Sequence, residues 1–573
     1  MCGIVGYYGD DEAAEKVYRG LRKLEYRGYD SAGIATAGNP TIKVEKAVGE
    51  VEEVANPGID GTTGIGHTRW ATHGGVTEEN AHPHLSEKEK VAVVHNGIIE
   101  NYQEIKQELD ADFRSETDTE VIPHLLEREI NRRDEIAEAV HRVMKKLEGS
   151  YAVAAMINSG EMVAFRKGSP LVLGIDGDEY FLASDVTPFL EHTNQAVFLE
   201  DDDYAVIDEG HEIYNSGEKV EREIQEVDWD AEQASKEGHD HFMEKEIEEQ
   251  PKTVKRAAYQ DRSDLEKAVE MIEEAEDVYL TGCGTASFAA SLGAKYLREA
   301  DIEALTEQSH ELEYRSEEVS EKDLVIAVSQ SGETADLLSM LEETEADVLA
   351  VVNVVGSTLA RQADHKLYVN AGPEIGVAST KAFTAQLAVL KLLGYSLDED
   401  IEEGREKLLE TADKIKDVIE ENRETVEELS SYFADKEHVY FIGRNKGYEM
   451  AREANLKLKE LSYIHAEAFP GGEFKHGTLA LVEDGTPVVA FLKDEDFSQA
   501  YSNMMEAHSR GADIISVGNE RIEESEFHIQ VPEDENSEIL EIVPFQMAAY
   551  LTAVEKGNNP DKPRNLAKSV TVK

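Results

Sequence analysis

Met1-Cys2-Gly3-Ile4-Val5-Gly6 is the stretch around which the first part of the chain is organised. The apolar run at 4–8 predicts a buried strand, which would draw Cys2 toward a core. Removal of Met1 would leave Cys2 with a free α-amine, whose pKa of roughly 7.7–8.0 suits a base for the neighbouring thiol. An N-terminal residue of this kind supplies its own base for acyl transfer. The alternative is a frayed terminus with a thiol of no consequence.

The charge of the chain is its most unusual bulk property. Its 573 residues predict several domains, and they include 120 acidic and 57 basic side chains, for a net charge of −63. Such a surface repels nucleic acid and anionic membranes, so we expect neither as a partner. Two interpretations remain open, an acidic interaction surface and adaptation to a salt-rich cytoplasm, where the screening length falls to ~3 Å at 1 M. The even spread of the acidic residues favours the second interpretation.

Cysteine content and hydropathy indicate the compartment. No apolar run approaches the length of a membrane span, and the acidic residues at 10–12 argue against a signal peptide. The two cysteines, Cys2 and Cys283, are too few for a disulfide framework. We therefore expect a cytoplasmic protein.

Residues 2–225 predict one α+β domain of layered strands and helices. The periodicity predicts strands at 4–8, 32–36, 91–95, 151–157, 162–166 and 197–199, and helices at 12–24, 101–110 and 119–129.

Four polar clusters interrupt this domain. They are residues 26–31 (YRGYDS), 66–74 (GHTRWATHG), 95–101 (HNGIIEN) and 115–120 (SETDTE). A thiolate that attacks an amide needs an arginine for the substrate carboxylate, an acid for its ammonium and donors for the oxyanion. The clusters contain all three kinds of group.

Each of these groups also has an ordinary structural interpretation. Arg69 suits a surface ion pair, Asp118 a helix cap, and Asn96-Gly97 a hairpin turn. The combination with Cys2 favours the catalytic interpretation.

Together the clusters resemble the class II, N-terminal-nucleophile glutamine amidotransferases over residues 2–225. The resemblance implies that Cys2 attacks the glutamine side-chain amide and that Asn96 and Gly97 form the oxyanion hole. It also implies that glutamine is held, and the site covered, by further residues. The expected glutamine-binding residues are Arg69, Thr72, His73 and Asp118, and the expected covering residues are Trp70 and Arg27.

The remaining chain predicts a linker with a helix at 226–260, two α/β domains at 261–405 and 406–560, and a tail at 561–573 that is basic. For the tail, an edge strand that neutralises the acidic surface is the alternative to a functional role. Strands and helices alternate in both domains, which is typical of doubly wound parallel sheets. Residues 278–282 (VYLTG) and 439–443 (VYFIG) open the two domains in the same way, so we interpret them as a repeat. In the linker, a helix ending before Pro251 is expected.

Two hydroxyl-rich loops in the first α/β domain predict a phosphate site. Residues 282–285 (GCGT) and 329–334 (SQSGET) each follow a strand and precede a helix, where backbone N–H groups favour an anion. Ordinary N-capping is the alternative. Neither loop has the ending of a nucleotide P-loop. Cys283 is interpreted as a packing residue at a strand end.

The second α/β domain carries ionisable groups instead. Lys457 and Glu460 lie three residues apart on one predicted helix face, and a surface salt bridge is the alternative to a catalytic pair. The histidine pairs at 82 and 84 and at 239 and 241 lack a third ligand at zinc spacing, so we expect no metal and no cofactor.

This half resembles tandem sugar isomerase domains, and nearly the full length resembles the isomerising glutamine–fructose-6-phosphate transaminases. The resemblance is carried by residues 329–334, 372–383 (GPEIGVASTKAF), 457–467, 475–477 (KHG) and the tail. It implies L-glutamine and D-fructose 6-phosphate as substrates, glucosamine 6-phosphate and glutamate as products, and a homodimer. Ala286 and Thr478 depart from the family pattern.

The resemblance also implies roles in the sugar site. His476 would assist ring opening, Lys568 would form an imine with the open ketose, and Glu460, supported by Lys457, would move the proton between C1 and C2. The expected phosphate-binding residues are Ser329, Gln330, Ser331 and Thr334 with Thr285 nearby, and the expected sugar contacts are Val377 and Ala567.

Two other functions were weighed. A phosphoribosyl amidotransferase would need paired acids before a hydroxyl-rich loop, and the acids at 201–203 lack such a loop. A non-catalytic phosphosugar-binding regulator would have no use for Cys2 or a tail lysine, and the net charge argues against a DNA-binding module.

Overall fold

The structure is a computed structural model. It describes residues 2–37, 41–54, 58–70, 74–109, 111–132, 135–227, 236–398 and 400–571. The chain forms two compact units, Met1–Ser235 with Ala567–Lys573, and Lys236–Leu566.

The first unit is rich in strands. Its strands are β1 (Gly3–Tyr8), β2 (Ser31–Thr36), β3 (Lys43–Val48), β4 (Thr63–Arg69), β5 (His84–Leu85), β6 (Val91–Ile99), β7 (Gly149–Ile157), β8 (Met162–Lys167), β9 (Val172–Asp176), β10 (Glu179–Ala183), β11 (Gln195–Phe198), β12 (Asp203–Ile207), β13 (His211–Asn215), β14 (Glu218–Val220) and β15 (Gln225–Glu226). Its helices are α1 (Ala13–Lys23), α2 (Tyr102–Glu108), α3 (Val121–Ile130) and α4 (Ile136–Met144).

Two antiparallel sheets form the centre of this unit. Their strand orders are β15-β11-β9-β10-β1-β4-β2-β3 and β14-β13-β12-β8-β7-β6-β5. Inward side chains of both sheets, such as Ile4 and Ile65 from one and Val94 from the other, share an apolar core. Helix α1 turns Val17 and Leu21 inward, and α3 and α4 bury their apolar faces with the second sheet. The unit is therefore the layered α+β domain that the sequence predicts.

Strand β1 brings Cys2 to the interior of the first sheet. It pairs with β4 on one side and β10 on the other, and Gly3 stands opposite Thr68. A Cβ at Gly3 would lie 2.6 Å from the Thr68 hydroxyl, so only glycine allows this close approach. Cys2 is thus held next to the end of β4, where the 66–74 cluster begins.

The second unit alternates helices and strands. Its helices are α5 (Phe242–Glu248), α6 (Gln250–Ala258), α7 (Arg262–Glu274), α8 (Thr285–Glu299), α9 (Ser309–Leu312), α10 (Ala335–Glu342), α11 (Thr358–Gln362), α12 (Lys381–Asp398), α13 (Ile401–Ala434), α14 (Lys446–Ser462), α15 (Gly471–Phe474), α16 (Phe497–His508) and α17 (Ser537–Glu555). Its strands are β16 (Val278–Gly282), β17 (Ala304–Gln308), β18 (Leu324–Ser329), β19 (Asp347–Val352), β20 (His365–Tyr368), β21 (His438–Gly443), β22 (His465–Pro470), β23 (Pro487–Phe491), β24 (Asp513–Gly518) and β25 (Ser525–Gln530).

The two parallel sheets of this unit have the same topology. Their orders are β17-β16-β18-β19-β20 and β22-β21-β23-β24-β25, so the first strand lies second in each sheet. This is a doubly wound arrangement, in which loops at the carboxyl ends of the strands form a crevice. One apolar core includes Leu280 of the first sheet and Phe441 of the second. The predicted repeat is confirmed.

The secondary structure matches most of the predicted elements, and two details differ. Helix α5 ends at Glu248, before Pro251 as expected, and Pro251 lies in the first turn of α6, where proline is tolerated. Within the described part of 226–260, Met243, Ile247 and Val254 are fully buried in the core of the second unit. The predicted boundary at 405 falls inside the 34-residue helix α13. None of the described helices combines the length and apolarity that crossing a bilayer requires.

Candidate functional site

A cavity of about 100 Å³ lies next to Cys2 in the first unit. Six predicted site residues, from β1, β4, β6 and the turn before α3, converge on it together with four residues of the tail. The lining residues are Cys2, Arg69, Trp70, His82, His95, Asn96, Gly97, Thr117, Asp118, Thr119, Ala567, Ser569, Val570 and Thr571.

The Cys2 thiol is held by the backbone of Trp70. The Trp70 N–H donates to Sγ over 3.2 Å, and Sγ lies 3.5 Å from the Trp70 carbonyl oxygen. Burial raises the pKa of the Cys2 thiol, while the Trp70 N–H and the positive charge of Arg69 act in the opposite direction. The sulfur therefore has a fixed position but needs a base to become a thiolate.

Asn96 and Gly97, the expected oxyanion donors, line the cavity beside Cys2. The Asn96 amide nitrogen donates to the carbonyl oxygen of Cys2 over 2.9 Å. Gly97 has a φ of +131°, and a Cβ there would lie 2.0 Å from the carbonyl oxygen of Ser150. Only glycine can occupy this position, which leaves the cavity open beside the sulfur.

His67 supports Asn96 from behind, a role that the sequence analysis missed. Its Nε2 lies 3.0 Å from Asn96 Oδ1 and 3.0 Å from the carbonyl oxygen of His95. Both partners are acceptors, so Nε2 carries the proton. Burial lowers the pKa of His67 to about 3, which keeps the ring neutral. The available signal was strand alternation, which places His67 on the same face of β4 as Arg69.

Arg69 and Asp118 give the cavity one positive and one negative group. The Arg69 guanidinium donates to the carbonyl oxygens of Gly75 and Gly74 over 3.1 and 3.4 Å. One Asp118 carboxylate oxygen accepts the Ile99 N–H over 2.7 Å. Opposite charges in one small cavity suit a zwitterionic amino acid.

Four other residues of the first unit were predicted to hold glutamine or to cover the site. Thr72 and His73 lie outside the described residues. Trp70 lines the cavity, and its ring meets Tyr29 edge to face, with centroids 5.5 Å apart. Arg27, the other expected covering residue, is buried, and its guanidinium lies 2.9 Å from Asp185. This ion pair anchors the segment inside the unit.

The tail forms part of the same cavity. Ala567, Ser569, Val570 and Thr571 line it, so the expected sugar contact Ala567 lies in the first unit beside the thiol site. Lys568 lies between lining residues of this segment. No strand is assigned in the described part of the tail, which argues against the edge-strand alternative.

A buried charged cluster occupies the second unit. Lys457 Nζ lies 2.8 Å from Glu460, 3.5 Å from Glu453 and 3.2 Å from the Thr285 hydroxyl. Burial acts to lower the pKa of Lys457, but the two carboxylates outweigh it and raise this pKa. The Lys457 side chain is 1% exposed and that of Glu460 20%, so the pair is not a surface salt bridge.

Glu453 is a member of this cluster that the sequence analysis missed. Its side chain is fully buried, and burial raises its pKa to about 7. The signal was the spacing of Glu453, Lys457 and Glu460 on one face of α14, at four and three residues. A carboxyl group of this pKa is half protonated near neutral pH and can exchange a proton there.

The predicted phosphate loops lie at neighbouring strand ends. β16 and β18 are adjacent parallel strands, so the loops that follow them meet at the same sheet edge. The Ser329 hydroxyl accepts the Gly332 N–H over 3.0 Å, and the Ser331 hydroxyl accepts the Glu333 N–H over 3.1 Å. Gln330 and Thr334 are half-buried in the same loop. Its hydroxyls are thus ordered within a tight turn.

Val377 and His476 are the remaining predicted residues of this unit, and Ala286 and Thr478 are its two departures from the family pattern. The Val377 N–H donates to the Asp561 carbonyl over 3.1 Å, in a buried segment. His476 is exposed after α15. Beside Ala286, the Ser287 hydroxyl donates to the Gly284 carbonyl over 2.7 Å. We find no structural consequence of Thr478.

Comparisons with known proteins match both units. A glutamine amidotransferase domain matches residues 67–191, and a SIS domain matches 271–395 and 432–556. The chain is 44% identical to a glutamine--fructose-6-phosphate aminotransferase (isomerizing) of Thermococcus kodakarensis and 43% identical to one of Halobacterium salinarum, with 100% of each chain covered. It is also similar to a solved C-terminal domain of glucosamine-fructose-6-phosphate aminotransferase from Francisella tularensis, at 34% identity and a TM-score of 0.53. That likeness covers 57% of this chain and 99% of the other.

Proposed function

Because the chain belongs to the family of isomerizing glutamine–fructose-6-phosphate aminotransferases, as its full-length relatives show, we propose that it converts D-fructose 6-phosphate and L-glutamine into D-glucosamine 6-phosphate and L-glutamate. The observation that carries this proposal is the convergence of Cys2, Arg69, Asn96, Gly97 and Asp118 on one cavity, in a chain with two SIS domains. A thiol with a zwitterion site and oxyanion donors suits the first half-reaction.

In the first half-reaction, the Cys2 thiolate attacks the side-chain amide carbon of glutamine. The Cys2 amine, freed by removal of Met1, takes the thiol proton and passes it to the leaving nitrogen. The Asn96 amide and the Gly97 N–H stabilise the oxyanion. The C–N bond breaks, ammonia leaves, and water hydrolyses the thioester to glutamate.

Substrate binding in this half uses the charges of the cavity. Arg69 binds the glutamine carboxylate and Asp118 its ammonium, as the opposite charges at the cavity wall support. Thr72 and His73 complete this set by the family resemblance. Trp70 covers the cavity and gates it.

In the second half-reaction, His476 opens the sugar ring and Lys568 condenses with the C2 ketone, with loss of water. Ammonia displaces Lys568 from the imine. Glu460 then removes a proton from C1 and returns it to C2, which leaves an amine at C2 and an aldehyde at C1. The ion pair of 2.8 Å with Lys457 fixes the Glu460 carboxylate.

Binding of the phosphosugar uses the loops at the ends of β16 and β18. Ser329, Gln330, Ser331 and Thr334 bind the phosphate, with Thr285 nearby, and Val377 and Ala567 contact the sugar. The ordered hydroxyls of the 329–334 turn and its position before α10 support the phosphate assignment.

Two single substitutions test the proposal. Purified protein with both substrates should form glucosamine 6-phosphate and glutamate in equal amounts. Cys2→Ser should abolish glutamine hydrolysis, because a hydroxyl is a far weaker nucleophile than a thiolate. Lys568→Ala should stop sugar conversion while glutamine hydrolysis continues. Absence of the amino sugar with the native chain, or equal loss of both activities in Lys568→Ala, would contradict these roles.

The cellular setting is a further part of the proposal. We infer a homodimer in a salt-rich cytoplasm. The net charge of −63, spread over the whole chain, supports the salt adaptation, and paired SIS domains support the dimer. Sedimentation in molar potassium chloride tests the dimer, and a monomeric mass would contradict it.

A further inference from the structure

Three metal-ligating side chains meet at the edge of the first parallel sheet, outside the sites described above. Cys283 follows β16, His310 lies at the start of α9 after β17, and Asp336 lies in the first turn of α10 after β18. Their ligand atoms all lie within 4.8 Å of one another. Three successive strand–helix connections each supply one group, which sequence spacing alone does not reveal.

The chemistry of this set points to one class of ion. A thiolate, an imidazole and a carboxylate together suit Zn²⁺ and its close relatives, whereas Mg²⁺ and Ca²⁺ prefer oxygen ligands. Zinc distances of about 2.0–2.3 Å in a tetrahedron separate the ligand atoms by roughly 3.3–3.8 Å. The His310 side chain is 46% exposed, so its ring can rotate to close the set.

We propose that Cys283, His310 and Asp336 bind one zinc-class divalent ion per chain. Three protein ligands leave a fourth position for water, which is the pattern of an open tetrahedral site. Cys283 is half-buried and Asp336 is half-buried, so two of the ligands are held by packing while His310 faces solvent. The ion thus enters from the His310 side.

The proposed ion site lies next to both of the predicted phosphate loops. Cys283 lies two residues before Thr285, and Asp336 lies two residues after Thr334. A bound ion therefore joins the two loops that we assign to the sugar phosphate, and it braces them against each other. This consequence rests on the proposed function, but the binding of the ion does not. We expect the ion to raise the melting temperature of the protein and to change the KM for fructose 6-phosphate.

The composition of the chain permits a specific binding test. Weak binding of divalent ions is expected at many of the 120 acidic residues, but only two cysteines can give a thiolate-to-metal absorption band. We use Cys2→Ser as the background, so that Cys283 is the remaining thiol, and titrate with Co²⁺ in molar potassium chloride without substrates. One Co²⁺ per chain should bind with a thiolate-to-cobalt charge-transfer band and tetrahedral visible absorption.

Variants made in the Cys2→Ser background test which residues bind the ion. Cys283→Ser should abolish the charge-transfer band, and His310→Ala should weaken Co²⁺ binding at least about ten-fold, the loss that even an outer-shell partner causes. His438→Ala, on another strand, should leave the titration unchanged. Circular dichroism and melting of each variant verify folding. A charge-transfer band that survives Cys283→Ser, unaltered affinity in His310→Ala, or no band at all would overturn the proposal, whatever the enzyme assay shows.

Discussion

His67 Nε2 lies 3.0 Å from the side-chain oxygen of Asn96, and this contact turns the Asn96 amide nitrogen toward Cys2. An amide can flip by half a turn, and the reverse orientation would present an oxygen to a developing negative charge. The His67 ring is buried and neutral, so it donates one hydrogen bond that selects the useful orientation. The orientation of the Asn96 amide thus depends on His67, which is not among the residues that line the cavity.

We expect His67→Leu to lower kcat for glutamine hydrolysis about 10- to 100-fold with little change in KM. Removal of one oxyanion donor lowers kcat by about 10²–10³-fold, and a misoriented Asn96 should cause part of that decrease. His67→Gln should recover much of the loss because its amide can donate. If His67 acts through Asn96, the double variant with Asn96→Ala should be no slower than Asn96→Ala alone. Additive losses would contradict this coupling.

Acid should destabilise the first unit through its buried histidines. The pKa of His67 is lowered to about 3 and that of His82 well below its usual value, in both cases mainly by burial. The unfolded chain binds protons below about pH 6.5 while the folded ring does not, so stability is present above pH 6.5 and is lost as pH falls toward 3.

The measurement is guanidinium unfolding of the native chain and His67→Gln between pH 7.5 and 5. The stability advantage of the native chain should shrink as pH falls, since the variant lacks the titrating ring. His465→Gln, at a side chain 73% exposed, is the control. If the difference in free energy of unfolding between the native chain and His67→Gln stays constant with pH, His67 does not titrate on unfolding.

The charged cluster of α14 should respond unequally to loss of its members. Lys457→Met removes the cation between Glu453 and Glu460, and breaking a buried pair typically destabilises by about 3–5 kcal/mol. Adding Glu453→Gln should restore most of that stability but not sugar conversion. Chemical unfolding and a product assay separate the two effects. Recovery of activity in the double variant would mean that Lys457 serves stability alone.

Trp70→Ala should uncouple the two products. Trp70 lines the cavity beside Cys2, and an indole can block a passage without binding ammonia. Glutamine should still be hydrolysed, with glucosamine 6-phosphate per glutamate well below one. Tyr29→Phe, which keeps the aromatic neighbour of Trp70, is the matched control. A one-to-one ratio in Trp70→Ala would contradict a gating role.

Salt should stabilise the fold steeply. Self-repulsion at a net charge of −63 opposes the compact state in dilute buffer, and molar salt screens it. The melting temperature should rise strongly from low to molar potassium chloride and much less with sucrose. A flat response to salt would favour the acidic interaction surface over salt adaptation.

The sequence predicted elements and clusters better than it predicted supporting residues. Cys2 and Asn96 were predicted from specific chemistry in short local motifs, and the structure brings both to one cavity. His67 and Glu453 were missed because each acts through a neighbour that the fold brings close, and neither is unusual for its strand or helix. The ion pair of Arg27 could not be predicted for the same reason, since its partner Asp185 is distant in sequence.

Domain limits were harder to predict than strands. Alternating apolar patterns located β16 and β21 well, because a buried parallel strand is a local feature. Helix α13 conceals the junction near 405, because its apolar face contributes to the same core as both neighbouring segments. Polar composition over 226–260 suggested a linker, although Met243, Ile247 and Val254 in this stretch are fully buried.

The wall that residues 567–571 give to the Cys2 cavity has a consequence for biosynthesis. A ribosome produces Cys2 first and this wall last, on the order of a minute later at about 5–20 residues per second. The strands of the first unit can form early, but the thiol remains without that wall until synthesis is nearly finished. A chain interrupted by a premature stop codon before Ala567 would therefore carry a thiol site without this wall, and Cys2 would be more open to oxidants in each nascent chain.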